Sequence, residues 1–362
     1  MTEPLSPGAT VGILGGGQLG RMMAIAAAAY GLKTHIYAPD PESPAFEVAG
    51  RHTVAAYDDE AALVAFAAAV DIVTYEFENV PADTVHLLRR HVSLFPDDRA
   101  LATTQDRLTE KSFVAGLGIP TAPFRDITSV ADLEAGLAAF GRPAILKTRR
   151  FGYDGKGQVK IGPNDEAAAA LAAIGHVPAI LEGFVPFSRE ISVVAARGQD
   201  GTFAAYDVCE NVHRNHILHT TTVPSSVSAG LADDAIAAAR RIAEALAYVG
   251  VIAVEMFVVE GNGGTGERLV VNEIAPRVHN SGHWTIEGAV TSQFAQHIRA
   301  VCGWPLGSTG RTGRVEMRNL IGDDVASWHE IARDPALHLH LYGKGSARPG
   351  RKMGHVTRVV PE

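Results

Sequence analysis

The chain has 362 residues, 46% of them hydrophobic and 20% charged, with 32 Lys and Arg against 40 Asp and Glu. That is enough apolar material for the cores of two or three domains, and a net charge of −8 argues against a general nucleic-acid binder, which would carry a basic surplus. Two cysteines exclude a disulfide framework, MTEPLSPGAT at the amino end lacks the features of a secretion signal, and no apolar run reaches the ~20 residues that span a bilayer, so a soluble cytoplasmic protein without membrane partners is expected.

Residues 11–14 read as a strand that stops at Gly15, and the Ala- and Met-rich stretch 19–29 reads as a buried helix. A second strand, 34–37, ends at Pro39 and Asp40, and strand and helix signals then alternate through 53–55, 61–69, 72–74 and 85–90. Such alternation predicts a parallel sheet with helices on its faces, here in a first domain of residues 1–105. A helix at 107–117 closes at Gly118 and Pro120, and strands 144–148 and 158–161 flank the glycine-rich FGYDGKG. Asn164, followed by Asp165 and Glu166, reads as a helix start before an alanine run. Strands 179–182 and 190–196 follow. From about residue 200 the pattern is an antiparallel sheet with one long helix, 231–247, and from about 305 a Gly-, Arg- and His-rich tail with short strands.

Gly15, Gly17 and Gly20 form a GxGxxG between strand and helix, with Asp40 twenty residues beyond. This fits a dinucleotide fold with its ribose-binding acid. It fits equally a substrate loop at a helix N-terminus, where free N–H groups favour an anion, or a plain structural turn.

The segment VIAVEMFVVEGNGGTGERLVVNEIAPR carries two apolar strands, 251–259 and 268–274, around a Gly/Asn-rich turn. A hairpin centred on Gly264 sets Glu255 opposite Glu273, with Cβ atoms roughly 4.5–5.5 Å apart and with Ala253, Phe257, Leu269 and Val271 on the same face. Two carboxylates in that setting repel and lose hydration unless a cation lies between them. Mg²⁺ suits the arrangement, being held by one or two carboxylates plus substrate phosphates, and Asn272 offers a further oxygen. A slipped register would instead leave both glutamates in solvent.

KTRRFGYDGKGQ, residues 147–158, ends a strand with Lys147 and then spaces Gly152, Gly155 and Gly157 around Lys156. Such a loop can wrap a polyphosphate with its N–H groups and move; it lacks the P-loop form, and a plain hairpin turn is the bland alternative. Glu182 ends an apolar strand, as a nucleotide acceptor or a solvated strand end, and His213 reads first as a structural strand histidine. Lys344, Arg348, Arg351 and Lys352 cluster within KGSARPGRK, an anion clamp or a solvated basic loop.

VGILGGGQLGRMM, TYEFENV, TQDRLTEK, FGYDGKGQ, NEIAPRVHNSGHWT and RPGRKMGH occur in this order along nearly the whole chain. Together they resemble the 5-(carboxyamino)imidazole ribonucleotide synthases of purine biosynthesis, members of the ATP-grasp superfamily. The resemblance implies an α/β ATP-grasp fold: a Rossmann-like pre-ATP-grasp domain at 1–105, a lid at 106–198, and a larger domain with a small C-terminal extension at 199–362. It also implies a homodimer. The chain departs from the family in ending seven residues after His355, where the family usually continues.

The activity implied is a carboxylating carbon–nitrogen ligation: bicarbonate joins the amine of 5-aminoimidazole ribonucleotide, through carboxyphosphate, with release of ADP and phosphate. ATP would meet Arg107, Lys147, the loop Gly152, Tyr153, Asp154, Gly155, Lys156, Gly157 and Gln158, then Glu182, Gly183, Phe184, Val185, Glu190, His213, Asn272 and Glu273. Mg²⁺ would rest on Glu255 and Glu273. The ribotide would meet Gln18, Leu19, Glu76, Tyr153, Asn280, Lys344, Arg351 and Lys352, and Lys156, Arg277 and His279 would serve bicarbonate and the moving phosphoryl group. The alternatives are another ATP-grasp ribotide ligase, of the formate-dependent glycinamide type, and an NAD-binding oxidoreductase built on the first glycine loop.

Overall fold

The computed structural model describes residues 3–152, 154–261 and 266–361. The amino-terminal part runs β1 (Thr10–Leu14), α1 (Gln18–Ala29), β2 (Lys33–Ala38), β3 (Arg51–Val54), α2 (Glu60–Ala67), β4 (Ile72–Tyr75), α3 (Ala82–Arg89) and α4 (Asp98–Thr104). Its strands lie parallel in the order β3–β2–β1–β4. Parallel strands are buried on both faces: Val11, Ile13 and Ile36 pack on Leu19, Met22 and Met23 of α1, and Leu14, Tyr37 and Tyr75 pack on Leu63 and Phe66 of α2 and Val85 and Leu88 of α3.

Next come α5 (Arg107–Gly116), β5 (Phe124–Ile127), α6 (Val130–Phe140), β6 (Ala144–Thr148), β7 (Gln158–Ile161), α7 (Ala167–Ala173) and β8 (Ala179–Gly183). The four strands form an antiparallel sheet, β5–β8–β6–β7, covered by α6 and α7. Asn164 does not start a helix. Asp165 accepts a hydrogen bond from Gly162 N at 2.7 Å, which closes a turn, and α7 begins only at Ala167.

The remainder runs β9 (Arg189–Arg197), β10 (Phe203–Ala205), β11 (Cys209–Arg214), β12 (Ile217–Val223), α8 (Ala229–Ala245), β13 (Gly250–Glu260) and β14 (Glu267–Ala275). It continues with α9 (Thr285–Gly288), α10 (Gln293–Val301), β15 (Arg314–Ile321), α11 (Trp328–Ile331), β16 (Leu337–Leu341) and β17 (Lys352–Val360). The large sheet has the order β14–β13–β9–β11–β12–β15–β17–β16, with β10 beside β9. Helix α8 covers one face through Leu231, Ala239 and Ile242, and α10 packs behind the other through Phe294 and Ile298.

A boundary at 198 would cut this sheet, because β9 pairs with β13 and β11 at its centre. Val114 of α5 and Ile119 also join the core under α8. The small sheet with its helices therefore occupies 124–183, a shorter piece than the expected 106–198. No helix among the described residues is long and apolar enough to cross a membrane.

Candidate active site

The first glycine loop is already filled. Glu76, one residue past β4, turns its carboxylate under the start of α1 and accepts from the N–H groups of Gly17 and Gly20. A Cβ on Gly17 would stand 2.5 Å from the Glu76 carboxylate, so the glycine serves this internal acid. Burial pushes the Glu76 pKa upward despite the two donors. Two of the N–H groups expected to favour an anion are thus spent on Glu76, whose carboxylate also works against a dinucleotide pyrophosphate there. Asp40 is an exposed turn residue accepting from Glu42 N at 3.0 Å. Titration with NAD⁺ or NADP⁺ is accordingly expected to show no saturable binding by calorimetry; tight binding that Asp40→Ala abolishes would restore the dinucleotide reading.

Glu255 and Glu273 do face each other, but for a reason the symmetric hairpin did not contain. Gly264 lies outside the described residues, and the pairs nearest it, Glu260 with Glu267 through Met256 with Val271, follow a centre half a residue earlier. Asn272 is then an extra residue, a bulge that re-aims the strand, and it sets Glu273 opposite Glu255. The same bulge corrects the expected neighbours. Leu269 and Val271 pair with Val258 and Met256 on the face toward α8, so of the four expected neighbours Ala253 and Phe257 share the Glu255 face, joined there by Val270 opposite Phe257. Burial, and then Glu273 across the strands, drive the Glu255 carboxyl upward in pKa. No three His, Cys, Asp or Glu side chains among the described residues converge as a metal site. The facing pair of hard carboxylate donors suits an ion such as Mg²⁺, which takes one or two carboxylates from a protein.

Beside this pair lies a buried cation cluster. Lys147 Nζ donates to Glu182 at 2.9 Å, Lys111 Nζ lies 3.7 Å from the other carboxylate oxygen, and Arg107 reaches Glu273 at 3.2 Å. Glu182 is no solvated strand end. Burial opposes its charge, but Lys147 and Lys111 override that and hold its pKa at about 2. Lys111 was not singled out from the sequence, nor was Glu110, which accepts from Ile274 N; both sit within TQDRLTEK. His213 is more than a strand histidine: a register shift after Val212 turns it to the cleft, with Nδ1 2.7 Å from Glu190. Burial works against its charge, yet Glu190 lifts its pKa.

Arg277 is clamped by Glu78, which spacing alone did not suggest. Burial opposes ionisation of Glu78, and the guanidinium overrides it and holds the carboxyl at about 2. His279 borders the cleft with Nε2 3.4 Å from Glu255, and burial followed by Arg277 lowers its pKa to about 3. Asn280 exchanges amide hydrogen bonds with Asn319 on β15, so much of its capacity is committed within the protein.

The glycine loop after β6 reaches over the cleft. Asp154 accepts from Lys352 Nζ at 2.9 Å, and a Cβ on Gly155, already at φ 79°, would meet the His216 side chain at 2.7 Å. Glycine alone allows that approach. Tyr153 lies outside the described residues. Lys344 Nζ donates to Lys352 O at 2.7 Å, and burial, then Arg351, bring its pKa down to about 8.

A cleft of about 810 Å³ joins these groups. Its lining includes Gln18, Leu19, Glu76, Arg277, His279, Asn280 and Lys352, together with Arg107, Lys147, Glu182, Glu190, His213, Glu255, Asn272 and Glu273. Asp154, Gly155, Lys156 and Gln158 line it from the loop, and Gly183, Phe184 and Val185 from the end of β8. Gly152, Gly157, Lys344 and Arg351 stand outside the lining; Gly152 accepts from Arg107 at 3.1 Å, and a Cβ on Gly157 would stand 2.6 Å from Thr148 Oγ1. Sequence reasoning missed the apolar wall of Ile145, Phe187 and Phe257, the last two rings stacked at 4.5 Å between centroids. The alternation of Phe257 with Glu255 on one strand is the signal that could have found it.

Three family models match the chain: a ribonucleotide synthetase preATP-grasp domain at residues 8–105, an ATP-grasp domain at 112–294, and a phosphoribosylaminoimidazole carboxylase C-terminal domain at 316–362. The N5-carboxyaminoimidazole ribonucleotide synthase of Brucella melitensis is 52% identical over 359 residues, 99% of this chain and 98% of that protein. The Staphylococcus aureus N5-carboxyaminoimidazole synthetase in complex with ADP superposes with a TM-score of 0.94 at 36% identity, covering 100% of this chain and 95% of that one. The Aspergillus clavatus enzyme in complex with ADP and 5-aminoimidazole ribonucleotide gives 0.90 at 31% identity, covering 98% and 94%. With the likeness running through all three parts of the fold and the facing glutamates, the chain belongs to the N5-carboxyaminoimidazole ribonucleotide synthase family.

Proposed function

We propose that this chain carboxylates 5-aminoimidazole ribonucleotide with bicarbonate at the cost of ATP, yielding N5-carboxyaminoimidazole ribonucleotide, ADP and phosphate. The observation that carries this reading is the single cleft joining the facing glutamates and their cations to the Gln18–Glu76 corner. ATP is assigned to the end with the apolar wall, its phosphates toward Lys147, Lys156 and Arg107. Glu255 and Glu273 would hold Mg²⁺, which would neutralise part of the polyphosphate charge.

Lys147, fixed by Glu182, and Arg107, fixed by Glu273, present positive charge where the γ-phosphoryl group leaves for a bicarbonate oxygen. The carboxyphosphate so formed loses phosphate as the ribotide amine takes its carboxyl carbon. Water would destroy it first, so the loop carrying Asp154–Gln158 acts as the lid, with Lys352 as its latch. Gln18, Glu76 and Lys352 face the ribotide, and Lys344 and Arg351 take its phosphate. Mg²⁺ as the metal, a homodimer as the assembly and the cytoplasm as the compartment belong to the same reading; light scattering after size exclusion reads the assembly.

The test is ADP release with bicarbonate and ribotide each omitted in turn. Release should need both, and rapid ADP release with neither would sink the assignment. Arg351→Ala should raise the ribotide KM with ATP binding unchanged, since losing one partner of a desolvated charge pair costs ~2–5 kcal/mol. An unaltered KM rejects the clamp.

A further inference from the structure

A line of buried hydroxyl and amide groups runs beneath the cleft and ends on the His279 ring. Two donors meet at His279 Nδ1. The first is the backbone N–H of Ser281, at 3.3 Å. Its hydrogen is fixed by the planar peptide and can only donate, so Nδ1 carries a lone pair and no proton. The second is Ser281 Oγ, 2.8 Å from the same nitrogen, which must therefore give its hydroxyl proton to the ring.

The rest of the chain follows with its direction set. Ser192 Oγ donates to Ser281 Oγ at 2.8 Å, Asn211 Nδ2 donates to Ser192 at 2.9 Å, and Thr221 donates to Asn211 Oδ1 at 2.9 Å. Ser192, Asn211 and Thr221 come from β9, β11 and β12, adjacent strands of the large sheet, and Ser281 from the helical turn 280–282 after β14; all four are buried, which keeps water from reversing the order. Ser192 stands in register with Glu255 on β13, so the chain rises beside the glutamate pair. Gln293 pins the same residue by its backbone, accepting from His279 N at 2.9 Å and donating to His279 O at 2.7 Å.

An imidazole that accepts at Nδ1 is neutral and keeps its one proton on Nε2. That nitrogen borders the cleft, and its 3.4 Å to Glu255 Oε1 is too long for a strong hydrogen bond. Building on the reaction assigned above, we propose that His279 is a neutral Nε2–H hydrogen-bond donor to an anionic substrate oxygen, not a proton acceptor, and that Ser281 is the positioning residue that fixes this form. A group aimed at developing negative charge stabilises the transfer without moving a proton.

The test joins a spectrum to kinetics. In [15N]histidine-labelled protein without substrates, the His279 signals, identified by their loss in His279→Gln, should show a bare Nδ1 and a protonated Nε2. Ser281→Ala should move them toward a mixture of tautomers and lower kcat with the ATP KM unchanged. His279→Ala should lower kcat about 10²–10³-fold, the usual cost of one preorganised donor. His279→Gln, whose amide N–H can take the place of Nε2–H, should stay within about tenfold of the parent. A proton on Nδ1 overturns the proposal, as does a Gln variant no better than Ala, which a proton acceptor would require. Unchanged signals and kcat in Ser281→Ala overturn the role of Ser281; if that variant does not fold, the parent spectrum and the two His279 variants still decide. The spectrum needs no substrate, so failure of the assigned reaction, seen as no ribotide-dependent ADP release, is told apart from failure of the tautomer.

Discussion

Glu273→Gln is expected to lower the kcat of ribotide-dependent ADP release at least about a hundredfold, since losing even a group that supports a metal ligand costs 10–100-fold. Glu273 brings negative charge to two contacts, and an amide would remove that charge from both. It supplies half of the carboxylate pair opposite Glu255, and it holds Arg107 at 3.2 Å in the cleft. The neutral amide keeps the size of the side chain, so β14 and its bulge should persist. Glu267→Gln is the control: it lies on the same strand, but at its exposed end, paired with Arg189. Activity titrated against Mg²⁺ should show the Glu273 variant needing far more metal, with the Glu267 variant near the parent. If the Glu273 variant keeps more than about a tenth of the parent kcat at ordinary metal concentration, the glutamate pair is not the metal site.

Glu182→Gln should cost about 3–5 kcal/mol of stability at neutral pH, as breaking a buried ion pair from one side does. Glu182 is 4% exposed between Lys147 and Lys111, and the amide would leave two ammonium groups without their shared counter-charge. Burial already pushes the Lys111 pKa down, so release of its proton in the variant would soften the loss. The pH dependence has a definite sign. A carboxylate held at about 2 in the fold, against an ordinary 4.5, contributes stability present above 4.5 and lost as pH falls through 2. Urea midpoints should therefore differ most near pH 7, and the gap between parent and variant should narrow below about pH 4.5. A gap under ~1 kcal/mol, or one that does not change with pH, would show that the triad is not what holds β8 against β6 and α5.

Several of these groups were legible before any coordinates. Local periodicity placed β1, α1, β6, β7 and α5 within a residue or two, because their apolar spacing and their glycine and proline stops are written in consecutive residues. Asn164 failed as a helix start for a local reason of another kind: the carboxylate of Asp165 found Gly162 N first. The boundary at 198 failed because β9 reads as one more strand after β8, and nothing in its own residues says that its partners are β11 and β13.

The sequence by itself determined the family, the alternating first domain and the hairpin that carries Glu255 and Glu273, since these rest on motifs and on local periodicity, whereas the facing of the two glutamates needed the bulge at Asn272. Only the tertiary structure decided which partners those residues meet. The first glycine loop could not be told from a dinucleotide site until Glu76, 56 residues beyond Gly20, was seen in its N–H groups. Lys111 and Glu182, Arg277 and Glu78, and Ser281 with Ser192 are likewise pairs brought together from distant stretches of chain. A buried charge or hydroxyl needs a partner, but which one it takes is set by how sheets and helices stack, and that information is not stored in any short run of residues.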